Sequence, residues 1–322
     1  MSKRRFLGLS LPVLIGIVVI VLGLFVVGFI SGPIGEKLFP GLELPSWLSV
    51  PRPDPKLPAE VVFHLFGFPI TNSIIATWLT MIILVGVSFA VSRRMKLIPR
   101  GLQNIVEFAI EALFNFCKRV AGEENGRRFF PLVATIFLFV ALNAWLSLLP
   151  GFGSIFLEVG HGEEIHEIHL LRGANTDINM PLALALVSFV FVEFFGLKTL
   201  GIRYLGKFIR VGQFFKGMSQ LVRGRFRSGL GGMFTGAIDI FVGVLETLSE
   251  FIRIVSFTFR LFGNMTAGEI LLLIAAFLVP WVFALPFYGL ELLVGFVQAL
   301  IFGGLTLVFL TVAVASHGEE AH

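Results

Sequence analysis

The chain has 322 residues, of which 56% are hydrophobic and only 14% charged, whereas soluble domains are typically about 25% charged. That composition excludes a soluble globular domain, and the net charge of +4 is informative only through its distribution along the chain. Cys117 is the single cysteine, so no intrachain disulfide can form. Apolar runs of about 18 residues or more recur, and the ten-residue alternation of a membrane β-barrel is absent. The expected fold class is an all-α integral membrane protein with about six hydrophobic helices.

Lys3-Arg4-Arg5 precede an uncharged run from Phe6 to Gly35. The run exceeds the roughly 7 to 15 residues of a signal-peptide core and lacks a clear A-x-A site. Residues 1–35 are therefore read as an N-terminal hydrophobic anchor helix. A cleaved signal is the alternative, with Gly28 and Ser31-Gly32 as its small residues. Residues 36–70 read as a Pro-rich external linker, because Pro40, Pro45, Pro51, Pro53, Pro55, Pro58 and Pro69 favour extended or irregular backbone.

Residues 71–322 read as one helical membrane domain. A second uncharged run, Leu65 to Ser92, leads into it and ends at Arg93-Arg94. From Gly101 to Lys118, Gln103, Glu107, Glu111 and Asn115 form a stripe at four-residue spacing. This fits an amphipathic helix lying in the interface or against the bundle, or else an ordinary connector. The third run, Phe129 to Leu157, breaks at Pro150-Gly151, and the fourth, Ile178 to Leu197, carries Glu193 near its end. The fifth and sixth helices take up residues 229–316, with Pro280 and Pro286 marking the break between them. From Gly229 to Val279 a continuous helix is about 75 Å long at 1.5 Å per residue. The hydrocarbon core is only about 30 Å thick, so the fifth helix must tilt strongly or bend, and the sixth does so less severely.

The segments Arg93 to Arg128 and Lys198 to Arg227 each carry eight Lys/Arg, the latter with no acidic residue. The loop 158–177 between them has five Asp/Glu against Arg172 alone. The positive-inside rule then places the N-terminus, both basic loops and the C-terminus in the cytoplasm of a cell with this chain in its inner (plasma) membrane. Topology and anionic headgroups account for the basic loop 198–227 without nucleic acid, so lipid or acidic partner subunits are its expected contacts.

The stretch Leu245 to Leu272 holds five ionisable side chains, Glu246, Glu250, Arg253, Arg260 and Glu269, in an otherwise apolar run. Each costs about 2.5 to 3.5 kcal/mol at membrane depth on insertion scales, so such groups face a protein interior or a water-filled path. Arg260 is the hardest to accommodate, because a guanidinium cannot shed its charge. On a helix Arg253 lies within about 20° of Arg260, and Glu246 and Asn264 within about 40°. Glu269, nine residues on, falls about 180° away. A simple Arg260–Glu269 ion pair is therefore not expected. The pattern suggests two polar routes that an arginine keeps apart.

Phe259-Arg260-Leu261-Phe262-Gly263-Asn264-Met265, followed by Ala267-Gly268-Glu269, resembles the signature of subunit a of the F-type ATP synthase, the membrane proton-channel subunit. The resemblance extends to Asn143-Ala144-Trp145-Leu146-Ser147-Leu148-Leu149-Pro150-Gly151, to Asn175-Thr176-Asp177-Ile178-Asn179 and to Gln298-Ala299-Leu300-Ile301-Phe302, within about residues 70 to 316. It implies that Arg260 is the essential arginine facing the carboxylates of a rotating c-ring, where a fixed cation favours the ionised form of a passing carboxylate. It also implies that Glu269, Glu291 and Gln298 line an outer half-channel, and that Glu246 belongs to an inner one, with Glu250 a weaker candidate. Asn264 and Asp177 match polar positions that hydrate or shape a path. The alternatives are interhelical hydrogen bonding for Glu269, Glu291 and Gln298, a solvated interfacial carboxylate for Glu246 and Glu250, helix packing for Asn264 and helix capping for Asp177. The departures are the added first helix, the arginine-rich loop before the fifth helix, and Phe251-Ile252-Arg253-Ile254 where the family often carries a proline.

His161-Gly-Glu-Glu-Ile-His-Glu-Ile-His169 is chemically adequate for zinc but is not an H-E-x-x-H site. It reads as a hydrated external loop, and His317 and His322 as a solvated tail. No phosphate loop, dinucleotide fingerprint or nucleophile elbow occurs, so no cofactor or metal is expected and any nucleotide chemistry belongs to another chain. The expected partners are c-ring proteolipids, peripheral-stalk b subunits, the rest of the synthase and lipid. A self-contained transporter would more commonly show related halves, and none is found. A membrane scaffold would not need a lone arginine at depth.

Overall fold

The computed structural model describes residues 5–6, 9–39, 45, 52–53, 58–93, 95–96, 98–161, 164–208, 211–222 and 226–315. Nine α-helices appear among them: α1 (Leu11–Ser31), α2 (Pro33–Leu38), α3 (Asn72–Arg93), α4 (Leu102–Ala121), α5 (Glu123–Ser147), α6 (Asn179–Leu200), α7 (Gly212–Val222), α8 (Phe226–Leu278) and α9 (Ala284–Ala315). Short 3-10 helices cover Ala174–Thr176 and Gly201–Lys207. Three small antiparallel hairpins pair β1 (Arg5–Phe6) with β2 (Leu9–Ser10), β3 (Val61–Leu65) with β4 (Phe68–Thr71), and β5 (Phe156–His161) with β6 (Glu164–His169).

Six of the helices, α1, α3, α5, α6, α8 and α9, are long and apolar enough to cross a membrane. They correspond to the six apolar runs of the sequence, and the protein is an all-α, multi-pass membrane protein. Ile82, Val85 and Phe89 on α3 stand 60–69% exposed, as side chains that face lipid do. The fifth run became α8, 53 residues without a break in helix assignment, and about 80 Å at 1.5 Å per residue. Its excess over the bilayer is thus taken up within one continuous element. The amphipathic segment became α4, with Gln103 and Glu107 hydrogen-bonded to each other at 2.6 Å. Gly122, at φ 82°, ends α4 in a left-handed conformation that suits glycine, and α5 begins at the next residue.

The Pro-rich linker differs from expectation at its end. Residues 61–71 form the β3–β4 hairpin, and its turn residues Phe66 and Gly67 both have positive φ, 52° and 82°. Two such residues match the right-handed twist of a two-residue hairpin, and Val61, Val62 and Phe63 are good strand formers. The linker prolines Pro40, Pro51 and Pro55, the leading Lys3-Arg4, and the tail with His317 and His322 lie outside the described residues. So do Arg210, Arg223 and Arg225 of the basic loop, and the side chains of Arg203, Arg227 and residues 158–167, which include most of the His/Glu cluster.

The chain divides into two compact units. The first comprises residues 1–77, 143–176 and 263–297. There the Asn72 side chain accepts from Glu60 N at 3.3 Å and donates to His169 O at 3.2 Å, which stitches three segments together. Trp145 Nε1 donates to Leu292 O at 3.1 Å, linking the end of α5 to α9. The second unit comprises residues 78–142, 177–262 and 298–322. Its core gathers Cys117, Phe129, Val133, Val192, Leu307 and Leu310, each at most 2% exposed. Helices in lipid gain little from the hydrophobic effect and rely on close packing and buried hydrogen bonds. Gly303 and Gly304 let α9 approach Val133 and Phe116, and Ser188 and Thr306 share a buried 2.8 Å hydrogen bond.

Candidate functional site

Arg260 sits on α8 between two buried residues of its inner face, Phe257 and Leu261, 5% and 0% exposed. Phe257 packs on Phe302 of α9 with ring centroids 4.9 Å apart, which fixes the helix locally. The guanidinium is half-buried and its Nη2 donates to Ser256 Oγ at 3.4 Å. Among the described residues no carboxylate lies within ion-pair distance of it. The next turn of the helix exposes Gly263, Asn264 and Ala267.

Arg253, which helical spacing puts on the face of Arg260, has a different environment. It is ion-paired to Glu250 one turn away and lies 4.0 Å from Glu193. Lys207 joins the same cluster, 3.2 Å from Glu250 and 3.5 Å from Glu193. Tyr204 completes it, donating to Glu193 at 3.1 Å and accepting from Lys207 at 2.6 Å. All four charged side chains are 13–17% exposed. Two carboxylates and two cations balance, as groups removed from water must. Burial pushes the Tyr204 hydroxyl above its ordinary pKa. Glu250 is therefore committed to a clasp. Glu246, four residues earlier, is half-buried and has no ion pair among the described residues.

The first unit holds a cavity of about 630 Å³. Glu269, Glu291, Arg172, Asn143, Ser147 and Asn175 supply its polar wall, and Met265 and Leu272 part of its apolar one. Glu291 is 8% exposed. Its carboxylate lies against Gly268, where any β-carbon would collide with it. Glu269 is the more open of the two acids, 37% exposed, and its partner is Arg172 at 3.5 Å. Arg172 is itself 10% exposed and donates to the Pro58 carbonyl at 2.9 Å.

Glu269 and Glu291 are thus brought to one cavity. Gln298 is buried on α9 at 2% exposure and Asn264 is exposed on α8. Asp177 accepts from the backbone N and the Nδ2 of Asn179, at 3.1 and 3.0 Å, in the manner of a cap at the start of α6. Arg172, Tyr204 and Lys207 were not singled out from the sequence. Arg172 had a signal, as the sole cation in an acidic loop just ahead of Asn175-Thr176-Asp177. The partners of Tyr204 and Lys207 carry no sequence signal, because Glu250 is 43 residues from Lys207.

The family described as ATP synthase A chain matches residues 74–311. The chain is similar to proteins named ATP synthase subunit a. That of Gloeobacter violaceus is 32% identical over 249 residues, 77% of this chain and 86% of the relative. That of Moorella thermoacetica is 28% identical over 263 residues, 81% and 98% of the two chains. That of Helicobacter pylori is 32% identical over 247 residues, 76% and 89%.

Proposed function

The chain belongs to the ATP synthase A chain family, and from that premise we propose that it provides two half-channels to and from a c-ring, separated by Arg260. It is a membrane proton-channel component of the rotary ATP synthase and is not catalytic alone. In the proposed cycle a proton enters by the cavity and passes along Glu269, Glu291 and Gln298 to a ring carboxylate. After rotation that carboxylate meets Arg260, whose fixed charge favours its ionised form. The released proton leaves on the side of Glu246, with Asn264 and Asp177 shaping the polar routes. Each charge moved across 100 mV is worth about 2.3 kcal/mol, which the ring captures as rotation only if no proton bypasses it. A cation that repels hydronium between the two routes prevents that bypass.

The observation that carries this reading is the contrast between two arginines of α8. Arg253 is neutralised by Glu250 and Glu193, while Arg260 has no carboxylate in ion-pair range among the described residues and is left to answer a charge on another chain. The partners in this reading are c-ring proteolipids, peripheral-stalk b subunits and the remaining synthase. In this reading the membrane is the plasma membrane and both termini are cytoplasmic, a sidedness that the basic loops support. The test is ATP-driven proton pumping and ATP synthesis in vesicles carrying the assembled complex, with Arg260→Ala beside wild type and assembly checked by co-purification of the c-ring. Loss of coupled transport in an assembled variant is the expected result. Coupled transport at near wild-type rate would overturn the reading.

A further inference from the structure

We propose that Arg172 is a positioning residue for proton entry, holding the Glu269 carboxylate at the wall of the cavity that Glu269 shares with Glu291. The proposal rests on the channel reading above and adds to it a residue and a division of labour between two acids.

Arg172 is anchored from two directions. Its Nη1 donates to the Pro58 carbonyl at 2.9 Å, and that stretch is fastened in turn where Glu60 N donates to the buried Asn72 side chain. On its C-terminal side the chain enters the buried turn Ala174–Thr176, where Asn175 N donates to Asn143 Oδ1 at 3.2 Å. The Arg172 side chain is nine-tenths buried, and its guanidinium keeps its charge at any pH the protein meets. A buried fixed cation held this firmly is costly unless an anion answers it. Glu269 does so from 3.5 Å, the one ion pair to Glu269 among the described residues.

That separation makes the pair an electrostatic contact rather than a hydrogen bond, and Glu269 Oε2 and Arg172 Nε are both buried without a hydrogen bond among the described residues. Glu269 is therefore retained but not locked. Its carboxylate can accept a proton from the cavity and release it without the arginine moving, because the arginine is tethered elsewhere. Glu291 lies against Gly268, the residue next to Glu269 in the chain, and has no ion pair of its own among the described residues. One acid is held at the cavity wall and the other is left to receive what it passes on. Lysine in place of Arg172 would keep the charge, but one ammonium cannot reproduce the planar fork that spans Pro58 and Glu269.

The test is a double-mutant cycle on the initial rate of ATP-driven proton pumping, using the assembled complex in vesicles. Arg172→Gln, Glu269→Gln and their combination are compared at equal c-ring content. Coupled residues of one charge network depart from additivity by amounts that change rates roughly tenfold. The expected result is that each single change slows pumping roughly tenfold and that the double is no slower than the worse single. Arg172→Lys should recover part of the rate. Multiplying effects would overturn the proposal, since Arg172 would then act on the fold through Pro58 and not through Glu269. Should Arg172→Gln fail to assemble, Arg172→Lys passes through the same cycle with the same two outcomes. Arg260→Ala run alongside separates the failures. If it still pumps, the channel reading fails. If it does not and the cycle multiplies, only the role of Arg172 fails.

Discussion

Lys207→Met removes one cation from the Glu193–Tyr204–Lys207–Glu250–Arg253 cluster and leaves two carboxylates sharing Arg253. Breaking a buried ion pair costs about 3 to 5 kcal/mol. The value here is smaller, because the charged side chains are 13–17% exposed and Arg253 still touches both acids. About 2 to 3 kcal/mol is expected. If the cluster opens before the rate-limiting step of unfolding, thermal inactivation accelerates by roughly 30- to 150-fold. The assay is the half-life of proton pumping at one elevated temperature, with the complex in vesicles. Lys207→Met combined with Glu250→Gln restores the charge balance and should regain most of the loss. The pH dependence has a definite sign. Burial pulls the Lys207 ammonium down, but Tyr204, Glu250 and Glu193 outweigh it and hold its pKa above the ordinary lysine value. A raised value means the stabilisation is complete below the unfolded lysine pKa of about 10.4 and fades as pH rises through the folded one. The advantage of wild type over Lys207→Met should therefore be constant from about pH 6 to pH 9. A half-life within twofold of wild type would refute the reasoning, since the cluster would then be solvated and weak.

Three further outcomes are expected. Gly268→Ala puts a β-carbon into the Glu291 carboxylate and should slow pumping in an assembled complex, with partial recovery when Glu291→Asp withdraws the acid by one methylene; an unchanged rate in Gly268→Ala would show that the contact is not made. Cys117 is fully buried and its thiol is pushed up to about 11 by burial, so N-ethylmaleimide at about pH 8 should leave it unlabelled in membranes and label it after denaturation in SDS. Thr306→Val removes the hydroxyl that meets Ser188 at 2.8 Å and should cost about 1 kcal/mol of stability, read as a shortened pumping half-life that Ser188→Ala in the same chain does not shorten further.

The helices were legible because membrane insertion demands long apolar runs, and such runs need no knowledge of their neighbours. The turn between α8 and α9 was legible from Pro280 and Pro286 for a similar reason. The β3–β4 hairpin was not, although its signal was present in Val61-Val62-Phe63 and the Phe66-Gly67 turn. The apolar run beginning at Leu65 drew those residues toward the next helix, and the surrounding prolines drew them toward irregular backbone. Arg260 stood out because a fixed charge amid apolar residues needs a reason, Glu269 was reached through the signature that contains it, and Glu291 only through what the family resemblance implies. The partner of Glu269 was illegible, because Arg172 lies 97 residues away in sequence and only packing chooses among distant cations. Glu250 shows the same limit from the other side. Helical spacing gives its angle but not the lysine that the turn at Gly201–Lys207 swings against it, nor the tyrosine of the same turn that meets Glu193.

The family match begins at residue 74, yet α1 is not a loose addition in front of it. Gly28 and Gly32 lie so close to the backbone oxygens of Pro280 and Leu278 that a β-carbon at either position would overlap them. The same small residues that would suit a processing protease are therefore a lock-and-key fit to the α8–α9 turn. Trimming the chain after residue 32 would unroof that turn from the side, and the turn leads directly into the helix that carries Glu291. Anyone shortening the protein for expression by removing α1 would be altering the packing of the α8–α9 turn that Gly28 and Gly32 lie against.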